Sequence, residues 1–202
     1  MARRTDHSRD ELFDLILDEA QKIIEEKGVA ALTARSIASA IGYSPGTLYN
    51  LFANIDEIIM HLNGRTMDDL QQKLQAAVQQ SSSGRAKLDK LITTYLKYNK
   101  TSRQRWNLLF EHRLSPEQTL PKWYKRRLDN LLDLLADTIQ TLLPDCGDKE
   151  IKHSARVLWS GLYGVCSLVQ ANSLTEVSAS SVDEMARSLI YNYISGLKRA
   201  GV

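Results

Sequence analysis

Gly28, Thr33, Gly42 and the Ser44-Pro45 pair crowd the stretch between residues 28 and 45. Each is helix punctuation of a specific kind. A glycine after Lys27 supplies the left-handed residue that ends a helix. Thr33 can accept a bond from a free N–H of a second helix. Gly42 ends that helix in turn. Ser44 can cap a third, with Pro45 at its first position, where a missing N–H costs nothing. Two short helices must therefore follow a long one, with no room for a strand between them. The periodicity agrees. Leu12, Ile16, Ala20 and Ile23 mark one helical face, widened by Phe13, Leu17 and Ile24, while Asp10, Glu11, Asp14, Asp18, Glu25 and Glu26 fall mostly opposite. The spacing predicts helices over roughly 8–27 and 34–40, and a third from residue 44.

The rest of the chain reads the same way. A fourth helix is expected from near Asn54 to Gln80, with Asp56 and Glu57 in its first turn, where carboxylates suit the helix dipole. "SSSGR" at 81–85 breaks the pattern. Helices follow at about 86–100, 103–113 and 117–142, then "LLPDCGD" as a second break, then helices at about 149–171 and 181–199. Val, Ile and Thr never alternate over a sustained run. The expected fold class is all-α, with about nine helices. Residues 1–54 form a three-helix domain, residues 55–202 form a second helical domain, and the fourth helix is the continuous element between them.

Several function classes are disfavoured. The 202 residues suffice for a sizeable core. No apolar run approaches the ~20 residues that span a bilayer. "MARRTDHSRDELF" lacks the apolar stretch of a secretory signal. Cys146 and Cys166 are too few for a disulfide framework, so reduced thiols and a cytoplasmic location are expected. His7, His61, His112 and His153 show no metal-ligand spacing, and no glycine-rich phosphate loop occurs. His153 and Cys166 lie too far apart along one helix to act as a dyad. No catalysis, metal or cofactor is expected. The net charge is +2, but its basic excess falls in residues 83–130, and residues 1–65 carry more acids than bases.

The two short helices carry the chemistry. Ala38 is small where the next helix crosses, and Ile37, Ile41, Leu48 and Leu51 are apolar where the helices face each other. Gly46, Thr47, Tyr49, Asn50 and Ala53 are left pointing outward. A helix start with short polar groups fits a DNA major groove, and its free N–H groups favour a phosphate. Asn pairs with adenine, and Thr bonds a base edge or phosphate. The same spacing also fits a plain helical corner with Tyr49 half-buried.

At this point "GVAALTARSIASAIGYSPGTLYNLFANIDEII", residues 28–59, resembles the TetR family of bacterial transcriptional regulators. The resemblance rests on Gly28, Leu32-Thr33, Ile37-Ala38, Gly42, Thr47-Leu48-Tyr49 and Phe52. It covers about the first 60 residues tightly. It implies an N-terminal helix-turn-helix DNA-binding domain and a C-terminal helical domain that binds a small effector and dimerises. It further implies that Thr33 and Tyr49 contact phosphate, with Arg35, Thr47 and Asn50 near base edges. Ser44, Gly46 and Asn54 complete the candidate DNA surface. Arg35 is the basic side chain at the reading surface and the first choice for a guanine contact. One position departs from the family. Ile55 stands where the family usually has a phosphate-holding lysine, so Asn54, nearby backbone N–H groups or Arg3, Arg4 and Arg9 would have to substitute. A solvated tail is the alternative for those arginines.

In the second domain, residues 155–169 are apolar but interrupted by Ser160, Gly161, Gly164 and Ser167. Glycine is costly in a helix unless another backbone comes close. Together with Leu189, Ile190, Tyr193 and Leu197 these form a candidate homodimer interface, or else an internal packing face. Tyr95, Tyr98, Trp106, Phe110, Trp123, Tyr124, Trp159 and Tyr163 are candidates for an effector pocket, although aromatics at helical spacing also build plain core. The basic excess fits either solvated faces or an anionic effector held by Arg103, Arg105, Arg113, Arg126 or Arg127. The leading expectation is a dimeric repressor released from a palindromic double-stranded DNA operator by a small apolar or amphipathic effector. The alternative is a helical small-molecule-binding protein or enzyme without specific DNA binding.

Overall fold

The structure, a computed structural model, describes residues 7–112, 119–170 and 181–200. Among these residues there are nine α-helices, one short 3-10 turn and no strand. The chain divides into two compact units, residues 1–66 with 102–124 and residues 67–101 with 125–202. No helix among the described residues is long and apolar enough to cross a membrane.

The first unit begins with α1 (Arg9–Lys27). Ser8 and Glu11 form a capping box: the Glu11 N–H donates to Ser8 Oγ at 3.3 Å and the Ser8 N–H to Glu11 Oε2 at 2.7 Å. Hydrogen bonds from the Ser8 backbone N–H and then its hydroxyl hold the Glu11 carboxyl below its ordinary range. Gly28 stops the helix at φ 80°. After a turn at Val29–Ala31, α2 spans Ala34–Ile41 and α3 spans Pro45–Tyr49. Gly42 lies between them at φ 75°, in the left-handed region that the turn requires. The apolar face of α1 meets Ile37, Ala38, Leu48 and Phe52 in one core. Each such side chain contributes roughly 1.5–3 kcal/mol when fully buried.

α4 (Ile55–Gln79) starts in the first unit, where Ile58, Ile59 and Leu62 join that core. Arg65 reaches across to Asp14 at 2.8 Å and Asp18 at 2.6 Å. α6 (Arg103–Glu111) is held to the same unit by Arg105 on Glu25 at 2.8 Å and by buried Leu108. His112, just beyond it, pairs with Asp56 at 2.9 Å.

The second unit contains the rest of α4, α5 (Gly84–Thr101), most of α7 (Lys122–Gln140), α8 (Asp148–Gln170) and α9 (Val182–Ala200). α8 and α9 pack against each other, and α9 against α5. Asp89 on α5 accepts from Arg187 at 2.5 Å and from the Tyr191 hydroxyl on α9. The Arg85 guanidinium lies 3.7 Å from the Tyr191 ring centre.

Three expectations change. α5 starts at Gly84 rather than near residue 86. α7 starts at Lys122 rather than near residue 117, because Pro121 lacks an N–H and its carbonyl instead accepts from Tyr124 at 3.0 Å. α4 is not the sole connector, since α7 also contributes residues to both units.

Candidate nucleic-acid interface and buried cavity

The exposed edge of the first unit is built by a reciprocal cap and a single helical turn. Thr33 Oγ1 accepts from the Ser36 N–H at 3.0 Å, and Ser36 Oγ accepts from the Thr33 N–H at 2.9 Å. This reciprocal cap starts α2 and leaves Arg35 exposed, with no ion pair among the described residues. Ser44 behaves differently from the sequence expectation. It precedes α3, but its side chain caps no backbone N–H. Its hydroxyl lies 3.0 Å from that of Thr47 instead. Helix α3 is one turn long, yet the Phe52 N–H still bonds the Leu48 carbonyl at 2.9 Å, so Leu48 and Phe52 stay buried on the inner side. Gly46, Tyr49 and Asn50 are exposed and Thr47 is half-buried. Tyr49 is 53% exposed, an unusual position for a large ring.

Two of the groups expected to replace the missing lysine are engaged in a cap, while Arg9, the first residue of α1, is exposed. Asn54 Oδ1 accepts from the Glu57 N–H at 2.9 Å. The Ala53 N–H donates to Glu57 Oε2 at 2.5 Å. These two bonds form a cap on α4, which occupies the Asn54 carbonyl and that backbone donor and sets a carboxylate beside them. Ile55 packs against the hydrophobic core. Arg3 and Arg4 lie outside the described residues. Two positions escaped sequence reasoning. His7 Nδ1 sits 2.8 Å from the Tyr43 hydroxyl, which ties the chain before α1 to the turn between α2 and α3. Neither residue carries a local signal, because the pairing is long-range.

In the second unit a cavity of about 300 Å³, counting its mouth, opens between helices. Leu74 of α4, Leu91, Ile92 and Tyr95 of α5, Leu131, Leu134 and Leu135 of α7, and Trp159 and Leu162 of α8 line it. The Tyr95 and Trp159 rings meet edge to face, 5.2 Å apart. Burial raises the Tyr95 phenol well above its usual range, with Cys166 and Tyr163 adding to the effect. Of the eight aromatic candidates, Tyr95 and Trp159 line this cavity. Tyr98 instead donates to Asp69 at 3.1 Å. Trp106, Phe110, Trp123 and Tyr124 belong to the first unit, where Trp123 stacks on His61 with ring centres 4.6 Å apart and Trp106 lies tilted against Phe110 at 4.9 Å. Tyr163 is half-buried on α8. Arg105 and Arg127 are paired with Glu25 and Asp68, and Arg113 lies outside the described residues.

The small residues of α8 do two jobs. A Cβ on Gly161 would lie 2.5 Å from Leu189 Cδ2 of the same chain, so this glycine and Leu189 serve internal packing. A Cβ on Gly164 would meet nothing within 4 Å. Val157, Ser160, Gly164 and Leu168 follow one another at helical spacing along an open face, and Leu168 is 50% exposed. Ser167 and Leu197 are half-buried, and the Tyr193 hydroxyl lies 3.2 Å from Ser154 Oγ. Ile190 is 0% exposed, which removes it from any surface between chains.

The profile described as bacterial regulatory proteins, tetR family, matches residues 16–62. The profile described as tetracyclin repressor-like, C-terminal domain, matches residues 88–193. The chain is 34% identical over 79 residues to the HTH-type transcriptional repressor KstR2 of Rhodococcus jostii (strain RHA1), a match spanning 39% of this chain and 39% of that relative. The fold is shared with a protein of unknown function from Rhodococcus sp. RHA1, with a TM-score of 0.75, 20% identity, and 96% of this chain and 98% of that one covered. It is also shared with the fatty acid degradation regulator FadR of Bacillus halodurans, with a TM-score of 0.67, 18% identity, and 92% and 96% covered. The two profiles together take in both the helix-turn-helix and the helices around the cavity, and the chain belongs to the TetR family of bacterial transcriptional regulators.

Proposed function

We propose that this regulator is a homodimeric repressor that a small molecule releases from a palindromic operator. The observation that carries the reading is the exposure of Tyr49, next to exposed Asn50 in the chain and with Arg35 exposed on α2, while Ile37, Ala38 and Leu48 on the inner side are buried. A large ring left in water gains nothing for folding, whereas it suits a phosphate or a base edge. Thr33 and Tyr49 grip phosphate. Arg35, Thr47 and Asn50 read bases, while Ser44, Gly46 and Asn54 shape the approach. The name of the partly matching relative, a transcriptional repressor, supports repression.

Dimerisation is supported by the open face of Val157, Ser160, Gly164 and Leu168 on α8, with Leu197 of α9 on the same helix pair. Two subunits present two reading helices to two half-sites about one helical turn apart. The effector occupies the cavity around Tyr95 and Trp159. By linkage, a ligand that lowers operator affinity must bind the operator complex less tightly, with a coupling of ~1–3 kcal/mol. The test is ligand affinity measured by calorimetry with and without operator DNA. A several-fold weaker affinity in the complex supports induction. Equal affinities would leave the ligand no power to shift the equilibrium.

A further inference from the structure

We infer that the effector this cavity accepts is an uncharged, hydrocarbon-rich molecule and not an anion, because its lining, from Leu74 and Leu91 through Leu134 to Trp159, presents hydrocarbon and ring surfaces and no charged side chain among the described residues. The inference rests on reading the cavity as the effector site, and it sets aside the anionic effector that the basic middle segment left open. Arg105 and Arg127 are spent on Glu25 and Asp68, and in the second unit Arg187 is spent on Asp89 and Asp183 and Lys73 on Asp69. The polar groups of the lining are one phenol, at Tyr95, and one indole N–H, at Trp159. They can orient one hydroxyl or carbonyl of a ligand.

A carboxylate or phosphate would have to shed its water here without a cation to replace it, a cost far above that of burying a neutral polar group. A bicyclic aromatic alcohol or a medium-chain alcohol meets this condition.

The experiment is calorimetric titration of the full chain with two matched pairs, 1-decanol against decanoate and 2-naphthol against 2-naphthoate, at neutral pH. The neutral member of at least one pair should bind about 100-fold or more tighter than its carboxylate. Leu134→Trp should abolish that binding by filling the cavity. Leu134→Arg, at a half-buried position where the guanidinium can reach water, should shift preference toward the carboxylate by about tenfold. Circular dichroism checks that each variant keeps its helices, and the wild-type comparison stands without them. A carboxylate that binds as tightly as its neutral partner and is lost in Leu134→Trp overturns the inference while leaving the cavity as the effector site. No binding by any of the four molecules overturns both. Binding that neither variant changes places the molecule elsewhere and overturns the inference.

Discussion

The Glu57 carboxylate accepts the Ala53 N–H at 2.5 Å, at the start of the helix that follows the reading turn. The Glu57 backbone N–H donates to Asn54 Oδ1 at 2.9 Å. Ile55 therefore sits within a self-contained cap that carries negative charge. Ile55→Lys should strengthen operator binding several-fold and steepen the salt dependence by roughly one unit per subunit. Glu57→Gln, which keeps the capping acceptor and removes the charge, should also strengthen binding but leave the salt slope nearly unchanged. Fluorescence anisotropy at several salt concentrations reads both. Unchanged affinity in both variants would place this corner away from the DNA backbone.

Tyr49 and Arg35 are expected to fail in different ways. Tyr49→Phe should weaken binding to all DNA sequences alike, since a phosphate contact carries no sequence information. Arg35→Ala should cost ~1–3 kcal/mol on the preferred operator and relax preference at one base position. Binding to a panel of single-base operator variants separates the two patterns. Equal weakening of every variant by Arg35→Ala would remove its base-reading role.

The two glycines of α8 give a controlled pair. Gly164→Leu adds a side chain where nothing stands within 4 Å, so the isolated fold should be unaffected while the dimer dissociates. Gly161→Leu should instead lower thermal stability, because its Cβ would already crowd Leu189 at 2.5 Å. Sedimentation and thermal melting check both. A Gly164→Leu dimer of normal mass would take this face out of the interface.

Burial pushes the Cys166 thiol up to about 11. The native state therefore favours the protonated form. The stability this contributes is present below the thiol's ordinary value near 9 and is lost as pH rises through the folded value. At pH 8 Cys166 should alkylate far more slowly than a free thiol, with the rate rising toward pH 11. Mass-spectrometric tracking of iodoacetamide labelling tests this, and labelling at the rate of a small-molecule thiol would contradict the burial.

The parts of this molecule that were legible in its sequence are those fixed by neighbours along the chain. The Thr33 cap, the Gly42 turn and the Leu48–Phe52 spacing follow from i to i+4 chemistry and can be read directly. The second half of the Thr33 cap was missed because Ser36 is not the glutamate or glutamine that marks a capping box. The early start of α5 was hidden because Gly84 is tucked against Thr141 and Leu142, more than fifty residues away. Helical spacing made Trp106 and Trp159 look alike, and only packing separates a core ring from a cavity wall. For the same reason it could not tell Ile190, sealed inside its own chain, from Leu168, left open.

The central claim is that the corner formed by α2 and α3 reads DNA sequence. Its most direct test is selection of binding sites from a random duplex library, followed by affinity measurement on the selected and scrambled sequences over a range of salt. The account predicts a palindromic consensus, a preference of about 10³-fold or more over scrambled DNA, and affinity that falls steeply with salt. Equal affinity for selected and scrambled DNA, or no binding to either, would contradict it.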